Sequence, residues 1–324
     1  MVLKVELPLE PGVLRVITAV QAGAQAQGLD PLLVGAAARD LLLVNVFGQR
    51  VRRATKDVDF AIVLPDWSAF AQLKRHLIRD HGFTDEARQQ HRLVFRHEGP
   101  GCGTPIDLVP FGGLQVDRHT LVWPPEMDVY MTVAGFTEAL ESAQLVELAE
   151  GLIVKVASLP GLAILKLFAW GDRRQRDAKD AVDLYTLLRS YGEAGTSDRM
   201  SDSDQALDRW LALDCDEEKT GAWLLGKDCG LLAKAETAEA LQQLWGDERR
   251  REQLLDGMVS NELGIKGSRQ RAEALLTLFL EGLGGEISAP CISIHCLYTG
   301  THSYSVGKPS ADQGSLETKP AKSL

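Results

Sequence analysis

Cysteine is scarce in this chain, and none of it is closely paired. The five cysteines, Cys102, Cys215, Cys229, Cys291 and Cys296, contain no CxxC spacing. That argues against a disulfide framework and against a zinc site built from cysteine pairs. Cys291, His295 and Cys296 lie close together but have no second ligand pair, so they read as incidental thiols of a reducing compartment. An excess of basic residues is also missing. Lys and Arg number 35 against 45 Asp and Glu, a net charge of −10. A broadly basic nucleic-acid platform is therefore not expected, while a local basic groove stays compatible with the charge. No apolar run reaches the length that spans a bilayer. Lys4, Glu6 and Glu10 interrupt any signal-peptide pattern. The expectation is a cytoplasmic protein with no membrane partner. No internal repeat is evident.

What remains is the composition of an ordinary globular protein, 45% hydrophobic and 25% charged over 324 residues. That length accommodates about two domains of roughly 100–200 residues. Leu32–Gly35 reads as a short buried strand and Ala36–Leu43 as a helix of high propensity. A loop carrying Arg50, Arg52, Arg53 and Lys56 follows. The segment from Asp57 to Val63 reads as a strand that Pro65 ends. Asp66 caps a helix through Trp67, Phe70, Leu73, Leu77 and Ile78, closed by Gly82. Arg92–Arg96, Ile106–Phe111 and Leu152–Val156 read as further strands. From Leu162 the pattern becomes helical, with Ala178, Ala181, Val182, Tyr185 and Leu188 forming one apolar face. The expected divisions are 1–158, 159–285 and a disordered tail at 286–324.

The acids carry the chemistry. Asp57 and Asp59 lie at i and i+2 of one strand, so they project from the same face. Asp107 sits in a second apolar strand and completes a trio if the two strands are neighbours. Three crowded carboxylates are costly unless a positive charge neutralises them. A divalent metal pair supplies that charge, and Mg²⁺ favours carboxylate oxygens together with substrate phosphates. Ahead of the acids, Gly35 permits close backbone approach, and the helix start behind it offers free N–H groups to a phosphate.

The Gly35-Ala36 turn, Asp57-x-Asp59 and Asp107 resemble the polymerase-β-like nucleotidyltransferase superfamily. Val34-Gly35-Ala36-Ala37-Ala38-Arg39-Asp40 is similar to the opening motif of CCA-adding enzymes. Downstream, Lys166, Arg173 and Lys179-Asp180-Ala181-Val182-Asp183-Leu184 resemble the helical motif of AbiEii-type nucleotidyltransferases, the toxins of type IV toxin–antitoxin systems. The resemblance covers roughly residues 30–190. It implies an α/β (α+β) nucleotidyltransferase domain with a short mixed sheet, followed by a helical C-terminal domain. It also implies transfer of a nucleoside monophosphate from an NTP to an acceptor hydroxyl. The acceptor is an RNA 3′ end such as that of tRNA, or a protein side chain, and a cognate antitoxin is the partner.

The resemblance assigns roles to residues. Asp57, Asp59 and Asp107 are the catalytic residues and hold two Mg²⁺ ions, or Mn²⁺. Gly35, Ala36, Arg39, Lys56, Lys166 and Asp180 bind the nucleotide, and Asp183 orients basic groups. Two positions depart from the pattern: Ala36 replaces a second glycine, and Lys179 replaces an arginine and loses its bidentate fork. Plainer readings stand beside these. Arg39 pairs with Asp40 or Asp57. Lys179 and Asp183 form an i, i+4 pair. Trp67, Trp123 and Trp170 are packing residues, and His91 and His97 are ordinary strand neighbours. A non-catalytic nucleotide-binding or partner-binding module and a tRNA 3′-end-adding enzyme are the alternatives.

Overall fold

The computed structural model describes residues 1–50, 57–86, 89–96, 103–200, 203–262 and 264–284. Lys56, Arg52, Arg53, His97, Cys102 and the segment 286–324 with Cys291, His295 and Cys296 lie outside the described residues.

The described strands are β1 (Val2–Lys4), β2 (Leu32–Val34), β3 (Val58–Leu64), β4 (Phe83–Asp85), β5 (Arg92–Arg96), β6 (Gly103–Gly112), β7 (Thr120–Trp123), β8 (Val129–Thr132), β9 (Gln144–Ala149) and β10 (Leu152–Val156). Eight of them form one mixed sheet in the order β1-β9-β10-β2-β3-β6-β5-β4, and β7 pairs with β8 separately. At its centre, β2 runs antiparallel to β3, β3 parallel to β6, and β6 antiparallel to β5. The parallel β3–β6 pair explains why both strands read as near-continuous apolar runs. Val58, Phe60, Ile62 and Leu64 are all buried on the face opposite the acids.

The helices among the sheet strands are α1 (Pro11–Gln25), α2 (Gly35–Asp40), α3 (Trp67–Asp80) and α4 (Phe136–Glu141). α3 starts as expected, with the Asp66 carboxylate accepting from the Ala69 N–H at 2.9 Å. α2 continues through Leu41–Val46 as a wider turn, and the Phe47 N–H reaches the Leu42 carbonyl five residues back at 2.9 Å.

Beyond Ser158 the described chain is helical. It contains α5 (Leu159–Arg173), α6 (Lys179–Ser190), α7 (Asp204–Ala212), α8 (Glu217–Leu232), α9 (Ala235–Trp245), α10 (Glu248–Met258) and α11 (Ser268–Gly282). Ser158 caps α5 through the Gly161 N–H at 3.2 Å, and Pro160 sits in the first turn, where its missing N–H costs nothing. The expected α/β part followed by a helical part is therefore present. The sheet is larger than the short one expected, because β1, β4 and β9 extend both of its flanks. The helical stretch packs against the rest through α5, which touches α2, α4, α6 and α8. No helix of the described residues is long and apolar enough to cross a membrane.

Candidate active site

The sheet register builds the site. Asp59 on β3 is level with Val34 on β2 on one side and with Asp107 on β6 on the other. Asp107 is in turn directly opposite Arg92 on β5. Paired residues of neighbouring strands share a face. The result is a row running from the end of β2 through Asp59 and Asp107 to Arg92. Asp57, one residue before β3, projects to the same side as Asp59. The structure thus brings Asp57, Asp59 and Asp107 onto adjoining strands.

Gly35 lies at the other end of the row. Its φ is +70°, in the left-handed region where a side chain is disfavoured. A Cβ there would stand 1.9 Å from Asp59 Oδ2. Glycine is therefore required by the carboxylate beside it as well as by the turn. Gly35 opens α2, and Ala36, half-buried, is its second residue.

Electrostatics divide the acids. The Asp59 carboxyl is pushed up to about 6, first because the surrounding protein desolvates it and then because Asp107 and Asp57 are negative, with Lys166 opposing. Asp107 has its own counter-ion. Arg92 Nε meets Oδ1 at 2.7 Å and Nη2 meets Oδ2 at 2.8 Å, a bidentate fork. Arg92 Nη2 also lies 3.6 Å from Asp57 Oδ2. His91 Nε2 stands 3.8 Å from Asp107 Oδ1, with its ring against Trp123. Trp123 in turn packs on Trp67 and Phe70.

These residues fit a divalent cation by chemistry. Their donors are hard carboxylate oxygens, and Asp59 carries a charge cost that a cation relieves. In this conformation, however, no group of three His, Cys, Asp or Glu side chains among the described residues closes around one point. Arg92 takes both oxygens of Asp107 instead.

Of the remaining expected site residues, Arg39, Lys166 and Asp180 belong to a buried ion-pair set, and Lys166 acts on Asp59. Arg39 is 1% exposed, pairs with the Asp183 carboxylate and meets Asp40 Oδ1 through Nε at 2.8 Å and Nη2 at 2.6 Å. Lys166 Nζ lies 2.7 Å from Asp183 Oδ2 and 3.1 Å from Asp180 Oδ1. Arg173 closes the set on Asp180 Oδ2 at 2.8 Å. Burial alone would lower Lys166, but Asp183 and Asp180 outweigh it and raise the ammonium above its ordinary value. Of the pairings expected from sequence, Arg39 takes Asp40, not Asp57. Lys179 Nζ stands 3.9 Å from Asp177, while Asp183 turns inward to Arg39 and Lys166. Asp180 is fully buried, so the geometry gives it basic side chains as partners and no open face for a nucleotide.

Arg92 escaped the sequence reading. The only signal was an arginine at the head of a predicted strand, and the register that sets it opposite Asp107 is not encoded in spacing.

The family model described as nucleotidyl transferase AbiEii toxin, type IV TA system, matches residues 41–262. That span holds Asp57, Asp59, Arg92, Asp107, Lys166, Asp180 and Asp183, while Gly35 and Arg39 lie just before it. The protein is a nucleotidyltransferase enzyme. It belongs to the AbiEii nucleotidyl transferase toxin family of type IV toxin–antitoxin systems. No curated protein matches the chain. Among solved structures, the antibiotic-resistance factor ANT(2″)-Ia aligns at 16% identity with a TM-score of 0.33, over 64% of this chain and 97% of that one. A CCA-adding enzyme in complex with ATP aligns at 13% identity and 0.23, over 85% and 81%. CdnC of E. coli MS115-1, from its complex with HORMA, aligns at 11% identity and 0.30, over 87% and 93%. Similarities this low carry no argument about this chain's substrate.

Proposed function

We propose that the chain uses Asp57, Asp59 and Asp107 to transfer a nucleoside monophosphate from an NTP to the hydroxyl of an RNA 3′ end. We assign it the toxin's place in a pair with a cognate antitoxin. The observation that carries the reading is the register that sets Asp59 and Asp107 side by side on β3 and β6, with Gly35, just past the end of β2, against Asp59 and with Asp57 beside them. Family membership supports the general reaction.

In the reaction, the acceptor oxygen forms a bond to the α-phosphorus. The bond from that phosphorus to the bridging oxygen breaks, and pyrophosphate leaves with the electron pair. The acceptor proton passes to a carboxylate, the role given to Asp107. Asp57, Asp59 and Asp107 would hold Mg²⁺. When bound, the metal supplies positive charge to the triphosphate and to the oxygens entering and leaving phosphorus. The chain's own contribution is positioning. The Gly35-Ala36 turn presents backbone N–H groups at the start of α2 to the phosphates. Arg39, Lys166, Asp180 and Asp183 clamp α2 to α5 and α6.

The test is incubation with each common ribonucleoside triphosphate labelled at the α-phosphate, together with total RNA and Mg²⁺. Label in RNA that chelator abolishes is the expected result. Label on protein would move the acceptor to a side chain. Pyrophosphate release without either would point to a small-molecule acceptor. No release of pyrophosphate with any triphosphate would refute transfer by this site.

A further inference from the structure

The reading of the site as metal-dependent leaves one group without a task. Arg92 is paired in both directions with acids assigned to the metal, and it consumes both oxygens of Asp107. Such a pairing competes with ligation: the fork takes two of the carboxylate's roughly four lone-pair sites, and its fixed positive charge repels a cation brought to the others. The guanidinium cannot lose its charge to give way. It has to find another anion.

We infer that Arg92 is a phosphate-binding residue that exchanges partners: it holds Asp107 while the site is empty and passes to an oxygen of the triphosphate when the nucleotide enters. Two points carry this. Arg92 stands at the head of β5 and its side chain is 22% exposed, so it has room to move, unlike the buried Arg39. The planar fork that fits a carboxylate fits a phosphate equally well. Exchange releases Asp107 at the moment a triphosphate brings its own metal. Metal and nucleotide therefore bind together better than either binds alone, the signature of coupled sites.

This inference rests on the proposed metal-dependent reading, and the experiment separates the two. Mn²⁺ binding is followed by the loss of the free-ion paramagnetic resonance signal, with and without a non-hydrolysable NTP analogue. The proteins compared are wild type, Arg92→Met, Arg92→Lys and Asp59→Asn, each checked for native circular dichroism. The expected wild-type result is weak Mn²⁺ binding alone, strengthened on the order of tenfold by the analogue. Both Arg92 variants should bind Mn²⁺ alone several-fold more tightly and lose most of the strengthening. Lysine keeps the charge but not the fork, so tightening in Arg92→Lys distinguishes release of Asp107 from a mere change of field. If Arg92→Lys behaves as wild type, or if neither variant differs, the exchange is refuted while the metal site stands. If wild type takes up no more Mn²⁺ than Asp59→Asn even with the analogue, the metal reading itself fails, and the inference with it.

Discussion

At the scale of single residues, Gly35 and Asp59 form one unit. Asp59 Oδ2 occupies the space that a side chain at position 35 would need. Gly35→Ala should therefore cost more than the roughly 1–2 kcal/mol of a left-handed backbone alone, and a second change, Asp59→Gly, should recover part of the loss. Urea midpoints of the single and double variants measure this coupling, and strictly additive losses would contradict it. Asp59 also predicts a pH effect. Its folded value, about 6, lies above the ordinary 3.8. Between those values the folded protein keeps a proton that the unfolded chain has released, so stability falls as pH rises through that window. In chelator at pH 7, Asp59→Asn should melt above wild type by an amount worth about 1–3 kcal/mol, and the gap should close below pH about 4. A variant less stable than wild type at pH 7 would contradict the desolvated environment. The two acids of the DxD pair, their shared face and the role of glycine were legible because strand periodicity and a lone Gly before a helix are local signals. That Gly35 is pressed by Asp59, and that Arg92 grips Asp107, depends on strand register, which no local spacing records.

At the scale of elements, the buried ion pairs fasten α2 to α5 and α6. Arg39 and Asp183 are 144 positions apart in the chain, and both are buried. Their pairing was hidden by a nearer choice, the i, i+4 spacing of Lys179 and Asp183 on α6. Removing one member of a buried pair leaves its partners charged and dry. Asp183→Ala leaves Arg39 with Asp40 alone and Lys166 with Asp180 alone, and should cost about 3–5 kcal/mol, whereas Glu147→Ala, which releases the exposed Lys4 on β1 and one backbone N–H, should cost only a small fraction of that. Equal effects in thermal melts would contradict the network's structural weight. The remaining elements were legible where a clear period or a punctuating residue marks them. β3, β6, α3 and α6 carry clear periods. β1 and β4 have three residues each, too few to show any. In α1, Val16, Ile17, Val20 and Ala24 fall on one buried helical face.

At the scale of the whole molecule, the strands line up the acids to which we assign the reaction, and the helices carry the buried ion pairs. α5 links the two. It is almost wholly buried between the sheet part and the later helices, and its Lys166 is the foremost of the two lysines, with Lys179, that oppose the negative charge at Asp59. The change from strands to helices at Ser158 was legible as a change of pattern. The extent of the sheet was not, since its outer strands come from both ends of the first half of the chain. The central claim is that Asp57 and Asp59 perform nucleotidyl transfer. Its most direct test is single-turnover transfer from an α-labelled NTP, comparing wild type with Asp57→Asn and Asp59→Asn after each variant is shown to be folded. Wild type should transfer the label, and neither variant detectably so. Transfer by both variants at the wild-type rate would contradict the claim.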